Sequence, residues 1–224
     1  MVGRMCNLYA NTSTQDLMRK LFELPRERDR LGNAEPRRAI FPKYPGPVLR
    51  LDAAEEPELV EMGWGFILPQ KSKKTGKPIL PKAVNNARDD KVQTSRFWKA
   101  SFEERRCLIP ATSFCEAKGR NPAVYHWFGV DGRSPFCFAG IWRESKSGYG
   151  KGDGAIETYS MLTTTPNALV KQIHPDRMPV ILDQADWTAW LNGTPEEAAK
   201  LLRPFPADRM EIIEDGEDLK SEPT

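Results

Sequence analysis

Histidine and cysteine are scarce in this chain, and long apolar runs are missing altogether. Two histidines and four widely spaced cysteines (Cys6, Cys107, Cys115, Cys137), with no C-x-x-C pair, supply neither a structural zinc site nor a disulfide framework. No stretch of about 18 apolar residues occurs, so no membrane-spanning helix is expected. No apolar segment follows the N-terminal positive charge, so no secretory signal is read. The formal net charge is only +2, and a nucleic-acid role would therefore need a local basic patch. The expectation is a cytoplasmic monomer with no metal, no cofactor and no membrane partner.

What is present is enough for a core. The 224 residues are 39% hydrophobic and include six Trp and ten Phe, which suits one globular domain. Cys107 and Cys137 lie in apolar, strand-like runs and read as core filler, since free Cys is among the most buried residue types. Met5-Cys6-Asn7-Leu8-Tyr9 raises a different possibility. With Met5 removed, Cys6 carries a free α-amine beside its thiol. An aldehyde condenses with that amine to an imine, and the thiolate closes a five-membered thiazolidine ring. The reference pKa values, about 8 for the amine and about 8.5 for the thiol, make both groups reactive near neutrality. An ordinary buried cysteine behind a start methionine is the competing reading of the same residues.

Along the chain, Thr12-Ser13-Thr14-Gln15 has the form of a capping box, and Leu17, Leu21 and Leu24 recur at helical spacing up to Pro25. Residues 26–38 hold five arginines and read as a solvated loop. Strands are predicted around 48–51, 59–64, 106–110, 123–128, 136–142, 158–164 and 178–182, with Asp131-Gly132 as a hairpin signal. Helices are predicted over 95–105, from Thr165-Pro166 onward, over 184–191 and over 195–202. Residues 70–81 read as an exposed loop. Residues 214–224 read as a disordered acidic tail. Strands outnumber helices and follow through short turns, which argues for an α+β fold built on antiparallel pairing.

Four residue types could carry chemistry. Glu116 sits behind apolar Phe114 and Cys115, either paired structurally or held with a raised pKa for proton transfer. His174 lies in a helix-to-strand turn beside Asp176 and Arg177, whereas His126 alternates with apolar residues inside a strand. Asn86 is a turn residue or an amide donor into a site. Arg88 has the planar fork that suits phosphate.

Seven pieces stand in one order: Met5-Cys6, Trp64-Gly65-Phe66-Ile67-Leu68-Pro69, Asn86-Ala87-Arg88, Arg105-Arg106-Cys107-Leu108-Ile109-Pro110, Phe114-Cys115-Glu116, Phe138-Ala139-Gly140-Ile141-Trp142 and Ile173-His174-Pro175-Asp176-Arg177-Met178-Pro179. Together they resemble the SOS response-associated peptidase (SRAP) family. The resemblance implies a single domain, residues 5–213, on an antiparallel, barrel-like β core with flanking helices. It implies binding of single-stranded DNA and capture of the abasic-site aldehyde as a thiazolidine. Cys6 would be the crosslinking nucleophile, Asn86 and Glu116 would position the terminus and move protons, and His174 would assist sugar opening and imine formation. Arg88 and Arg177 would meet phosphates, and Trp64 and Pro42 would shape the edge where bases stack. The same site would remove the initiator methionine.

Three departures stand out: Met1-Val2-Gly3-Arg4 ahead of the Met-Cys pair, Asn7-Leu8 where many members have Gly-Arg, and Cys115 where an aromatic residue is common. Two other functions are weighed against abasic-site trapping: a thiol hydrolase with Cys6 as acyl acceptor, and a noncatalytic single-strand DNA-binding module. A peptide bond to Met5 would turn the Cys6 amine into a non-basic amide, so translation is expected to begin at Met5, and only chains that begin at Cys6 are expected to form the adduct. Intact mass and crosslinking, read on the same samples of a chain started at Met5 and of the full chain with cleavage blocked, check this. A stable adduct on chains verified to retain Met1–Met5 would rule out the N-terminal thiazolidine.

Overall fold

The period-two apolar runs become strands throughout residues 6–150 and 152–223, which the computed structural model describes; the Met1–Met5 leader considered above lies outside them. In chain order the strands are β1 (Leu8–Asn11), β2 (Arg37–Ile40), β3 (Pro45–Leu51), β4 (Pro57–Trp64), β5 (Phe66–Lys71), β6 (Pro78–Val84), β7 (Asn86–Arg88), β8 (Arg106–Ala111), β9 (Ser113–Gly119), β10 (Ala123–Val130), β11 (Phe136–Ser145), β12 (Ile156–Thr164), β13 (Met178–Pro179), β14 (Ile181–Leu182) and β15 (Met210–Gly216). Five short helices, α1 (Gln15–Leu21), α2 (Asp89–Val92), α3 (Lys99–Glu104), α4 (Trp187–Asn192) and α5 (Pro195–Lys200), flank them.

Strands β12, β4, β3, β8 and β11 pair in that order, and β11 pairs back onto β12, closing a five-stranded barrel. Its joins are antiparallel except β12 with β4. A second, antiparallel sheet runs β15-β10-β9-β1-β2. The expected α+β fold with a barrel-like core and flanking helices is thus the observed one.

Alternation along the barrel strands separates two cores, because successive side chains of a strand point to opposite faces. Phe136 and Phe138 of β11, Cys107 and Ile109 of β8, and Val60 and Met62 of β4 join Cys6, Tyr9, Phe114 and Phe128 from the second sheet. The opposite faces, with Cys137, Ala139, Leu108 and Leu59, meet one buried residue or more from every helix: Met18, Val92, Phe102, Trp190 and Ala198. Cys107 and Cys137 are fully buried, as expected, one in each core. Arg106 is buried without an acidic partner. It donates instead to the Phe102 carbonyl (2.8 Å) and the Trp190 carbonyl (2.5 Å), where the C-terminal ends of α3 and α4 present partial negative charge.

Several local expectations are corrected. The Asp131-Gly132 turn exists, with both residues at positive φ, but it makes no hairpin: β10 is already paired on both edges by β9 and β15, so β11 leaves for the barrel. No α-helix follows Thr165-Pro166. Asn167 Oδ1 accepts from the Leu169 and Val170 amides instead, and a single 3₁₀ turn (Val170–Gln172) results. The cap of α1 is Thr14, accepting from Leu17 N–H, and Leu17 itself is exposed while Met18 is buried. Of the expected exposed loop over residues 70–81, only 72–77 form the loop; 70–71 and 78–81 belong to the strands of the β5–β6 hairpin. The tail expected to be disordered from 214 continues as β15 to Gly216. Glu222 then accepts from the Thr12 and Thr112 hydroxyls, both at 2.8 Å, because β10 offers a free edge and those hydroxyls need an acceptor.

Gly140 lies where β11 meets β8 most closely. A Cβ there would stand 2.8 Å from both Cys107 Sγ and Ile109 Cδ1. Gly140→Ala is therefore expected to destabilise the fold by about 1–3 kcal/mol, the usual cost of overpacking, measured as a lower urea midpoint at unchanged m-value. An unchanged midpoint would show that the barrel wall yields.

Candidate active site

Cys6 enters the structure at the head of β1, a central strand whose four residues are all buried. It is 1% exposed and packs in the core with Tyr9 and Phe114. Three groups hold its backbone. Asn86 Nδ2 donates to the Cys6 carbonyl at 2.9 Å, Asn85 Nδ2 donates to the same oxygen at 3.1 Å, and the Cys6 N–H donates to the Glu116 carboxylate. The Cys6 thiol points to the Leu8 carbonyl (3.6 Å).

Glu116 lies on β9, the strand paired with β1 (Leu8↔Cys115), and so stands level with the Cys6-Asn7 segment that leads into β1. It is 2% exposed, its cross-strand partner on β10 is His126, and no ion pair reaches it among the described residues. Burial pushes its carboxyl well above the ordinary range, opposed only by the Cys6 N–H. Its Oε1 and the Asn86 Oδ1 are buried with no hydrogen-bond partner among the described residues. The Cys6 thiol was expected to titrate near its reference value. Instead burial, then Glu116, push it well above.

Asn86 owes its position to β7, which runs parallel to β12 with Met161 opposite Asn86. The residue that the sequence reading passed over is Asn85. Its carbonyl accepts from the Trp64 indole N–H (3.0 Å) and from the Met161 amide (3.0 Å). The Asn85-Asn86 doublet was the available signal.

Trp64 is fully buried, edge-on to Tyr9 and stacked on Tyr159. Its ring therefore does not itself offer a face to a base, and its indole orients Asn85. Pro42 is half-buried in a tight turn closed by Tyr44 N–H on the Phe41 carbonyl (2.9 Å).

His174 is buried, with Nδ1 at 2.9 Å from the Arg177 carbonyl. No hydrogen bond joins it to Cys6 or Glu116 among the described residues. Arg177 is also buried: it donates to Asp89 Oδ1 (2.6 Å) and to the Thr163 carbonyl. Its charge is therefore spent on tying the His174 turn to α2, which corrects the expectation of a free phosphate ligand. Arg88 is exposed and forks onto Asp90 at 2.9 and 2.8 Å. Such an exposed pair contributes little and is readily exchanged for another anion. Cys6, Asn86 and Glu116 are thus gathered in one place with Asn85, and Trp64 backs them through Asn85; no hydrogen bond joins Arg88, Arg177 or Pro42 to Cys6 or Glu116 among the described residues.

Residues 5–220 match the family model described as SOS response associated peptidase (SRAP). The chain belongs to the SRAP family. It is 33% identical over 162 residues to abasic site processing protein YoqW of Bacillus subtilis (strain 168), across 70% of this chain and 68% of that one. It is 29% identical over 128 residues to abasic site processing protein YMR114C of Saccharomyces cerevisiae (strain ATCC 204508 / S288c), across 53% of this chain and 33% of that one. A solved protein structure from Bordetella bronchiseptica superposes with TM-score 0.73 at 27% identity, covering 92% of this chain and 97% of that one. One from Bacteroides thetaiotaomicron, at 20% identity and TM-score 0.69 over 92% and 90%, shares the fold.

In this SRAP chain the buried carboxyl has a stability signature. Glu116 keeps its proton to higher pH in the folded chain than in the unfolded one, where a carboxyl titrates at about 4.3. Between those values the folded state binds more protons, so stability falls as pH rises. Glu116→Gln removes that loss. The melting temperature of the variant minus that of the parent is expected to increase steadily as pH is raised above about 4.3. Parallel melting curves across pH would mean that Glu116 is ionised in the fold.

Proposed function

We propose that this chain traps abasic sites in single-stranded DNA by forming a thiazolidine between the ring-opened sugar and Cys6, and that the same site cleaves the bond preceding Cys6. The observation that carries the reading is the Cys6 backbone nitrogen held against the buried Glu116 carboxyl. The α-amine of a terminal Cys6 attacks the sugar aldehyde and gives a carbinolamine. Glu116, kept protonated by burial, donates to the departing hydroxyl, and water leaves with formation of the imine. The thiol then adds to the imine carbon, and its proton ends on the ring nitrogen. The balance is aldehyde plus aminothiol to thiazolidine plus water.

Two features support a terminal amine at this position. An amide offers one N–H to the surroundings, whereas an amine offers more, and Asn86 Oδ1 is a buried acceptor without a donor among the described residues, while Glu116 Oε1 is likewise left without a partner there. For cleavage, water adds to the carbonyl carbon of the residue before Cys6, giving a carboxylic acid there, and the departing Cys6 nitrogen takes a proton, for which the hydrogen-bonded Glu116 is the neighbouring acid. His174 serves sugar opening in this scheme: its Nδ1 is engaged by the Arg177 carbonyl (2.9 Å) and the Arg177 N–H (3.3 Å), which leaves Nε2 as the ring nitrogen that faces the sugar. Ring closure tolerates the raised thiol because it is intramolecular. A thiol hydrolase has less support, since its nucleophile would need a lowered thiol pKa.

On a single strand carrying one abasic site, the chain is expected to give a heat-stable adduct that Cys6→Ala abolishes and Cys115→Ala does not. Glu116→Gln and His174→Ala should slow adduct formation about 10²-fold or more, with binding of the intact strand retained. Adduct on Cys115, or equal rates in all variants, would overturn the assignment. Equal binding of intact and abasic strands with no adduct would favour a noncatalytic module.

A further inference from the structure

The β5–β6 ribbon carries five exposed lysines, Lys71, Lys73, Lys74, Lys77 and Lys82, and residues 66–84 contain no aspartate or glutamate. None of the five has an ion pair among the described residues, whereas Arg88, Arg177 and Arg209 are each matched to aspartates. In a chain of net charge +2, unmatched positive charge is therefore concentrated on this arm.

The ribbon is a sheet of two strands that pair only with each other, an arrangement that needs support at one end to persist. That support is at its foot. Phe66 is fully buried, Gly65 N–H donates to the Tyr159 carbonyl (2.7 Å), Arg143 Nη2 donates to the Ile67 carbonyl (2.9 Å), and Ser160 Oγ donates to the Val84 carbonyl (2.6 Å). The tip is closed by Ser72 N–H on the Lys77 carbonyl (2.9 Å). The arm is thus built and projecting.

Its outer part is also apolar: Ile79 is 54% and Leu80 63% exposed. A bare hydrophobic strand would invite a further strand, but Pro69, Pro78 and Pro81 lack the N–H that a ladder requires, so peptide addition along the edge is blocked. What remains is a surface for a flexible polyanion with apolar patches. The position names the polyanion. Strand β6 runs directly into Asn85 and Asn86, which hold the Cys6 carbonyl. At about 3.3 Å per residue, Lys82 and Lys77 lie roughly 13 Å and roughly 30 Å of chain from Asn86, and Lys71 stands across the ribbon from Pro78. Exposed Tyr44 stands at the foot, with Trp64 N–H on its carbonyl (2.9 Å).

We infer that the β5–β6 ribbon is a phosphate-binding arm for the single strand beyond the reacting nucleotide. Its lysines meet phosphates, while Ile79 and Leu80 lie against sugars and bases. The inference takes its partner from the DNA reading above and is independent of the covalent chemistry.

The test uses oligo-dT without abasic sites, bound by the full chain and by a Lys71→Gln, Lys73→Gln, Lys74→Gln, Lys77→Gln variant whose melting temperature matches the parent. Each lost phosphate contact flattens the slope of log affinity against log salt by about 0.7 for a single strand, so the slope is expected to fall by about 2–3. Lengthening the strand from about 4 to about 16 nucleotides, the range of single-strand binding sites, should strengthen binding to the parent and bring little gain to the variant. A Lys171→Gln, Lys200→Gln variant should keep the parent slope. Leu80→Ser should weaken binding at an unchanged slope. The parent slope and length dependence in the ribbon variant would overturn the inference. Polyglutamate bound as tightly as oligo-dT, through the same lysines, would overturn it in favour of an acidic protein. A parent that binds oligo-dT through the ribbon but forms no adduct on abasic DNA leaves the arm standing and removes the thiazolidine. A parent that binds no oligo-dT overturns both.

Discussion

A carboxyl buried without a cation has one inexpensive state, the neutral acid, and the contact between Glu116 and the Cys6 nitrogen depends on that constraint. Ionising it there would cost several kcal/mol of lost hydration with only one N–H in return. The surrounding structure keeps water and cations away: β9 lies between β1 and β10, and Phe114 and Phe128 stack beneath it with ring centroids 5.0 Å apart. The raised proton affinity of Glu116 is thus a consequence of the packing.

Packing also fixes what Glu116 faces. Strand β1 is held on both edges by β2 and β9, so the residue ahead of it has little freedom. The Cys6 carbonyl is taken by two asparagine amides, and those asparagines are aligned by β12 and by the Trp64 indole. Trp64 is itself set against Tyr9 and Tyr159, whose hydroxyls meet at 2.5 Å. A Cβ on Gly46 would collide with both hydroxyls, so that glycine makes the pair possible. Site and core therefore share atoms, and a change in one is felt in the other.

Charge is divided differently. The arginines are mostly consumed by structure: Arg106 on helix ends, Arg177 on Asp89 and Thr163, Arg209 on Asp131 and Asp183. Lysines on the ribbon keep their charge available. The planar guanidinium makes several directed bonds and is the better internal clamp, whereas the ammonium is a hydrated point charge suited to contacts that form and dissolve.

By itself the sequence determined the class of fold, because its apolar runs are short and closely spaced by turn residues: Arg106–Ala111 and Phe136–Trp142 are too short for ordinary helices and become strands buried on both faces. It also determined Cys6, Asn86, Glu116 and His174 as candidates, through motifs whose order is written in the chain. Tertiary structure alone decided the rest. It paired β10 with β9 and β15 rather than with β11, drew residues 214–216 into a sheet, and paired the two sides of an apparent loop into the lysine ribbon. It buried Trp64 and coupled Arg177 to Asp89, 88 positions away. These outcomes depend on which edges, acceptors and faces are already occupied by residues distant in sequence, and periodicity along a single segment carries no information about that competition.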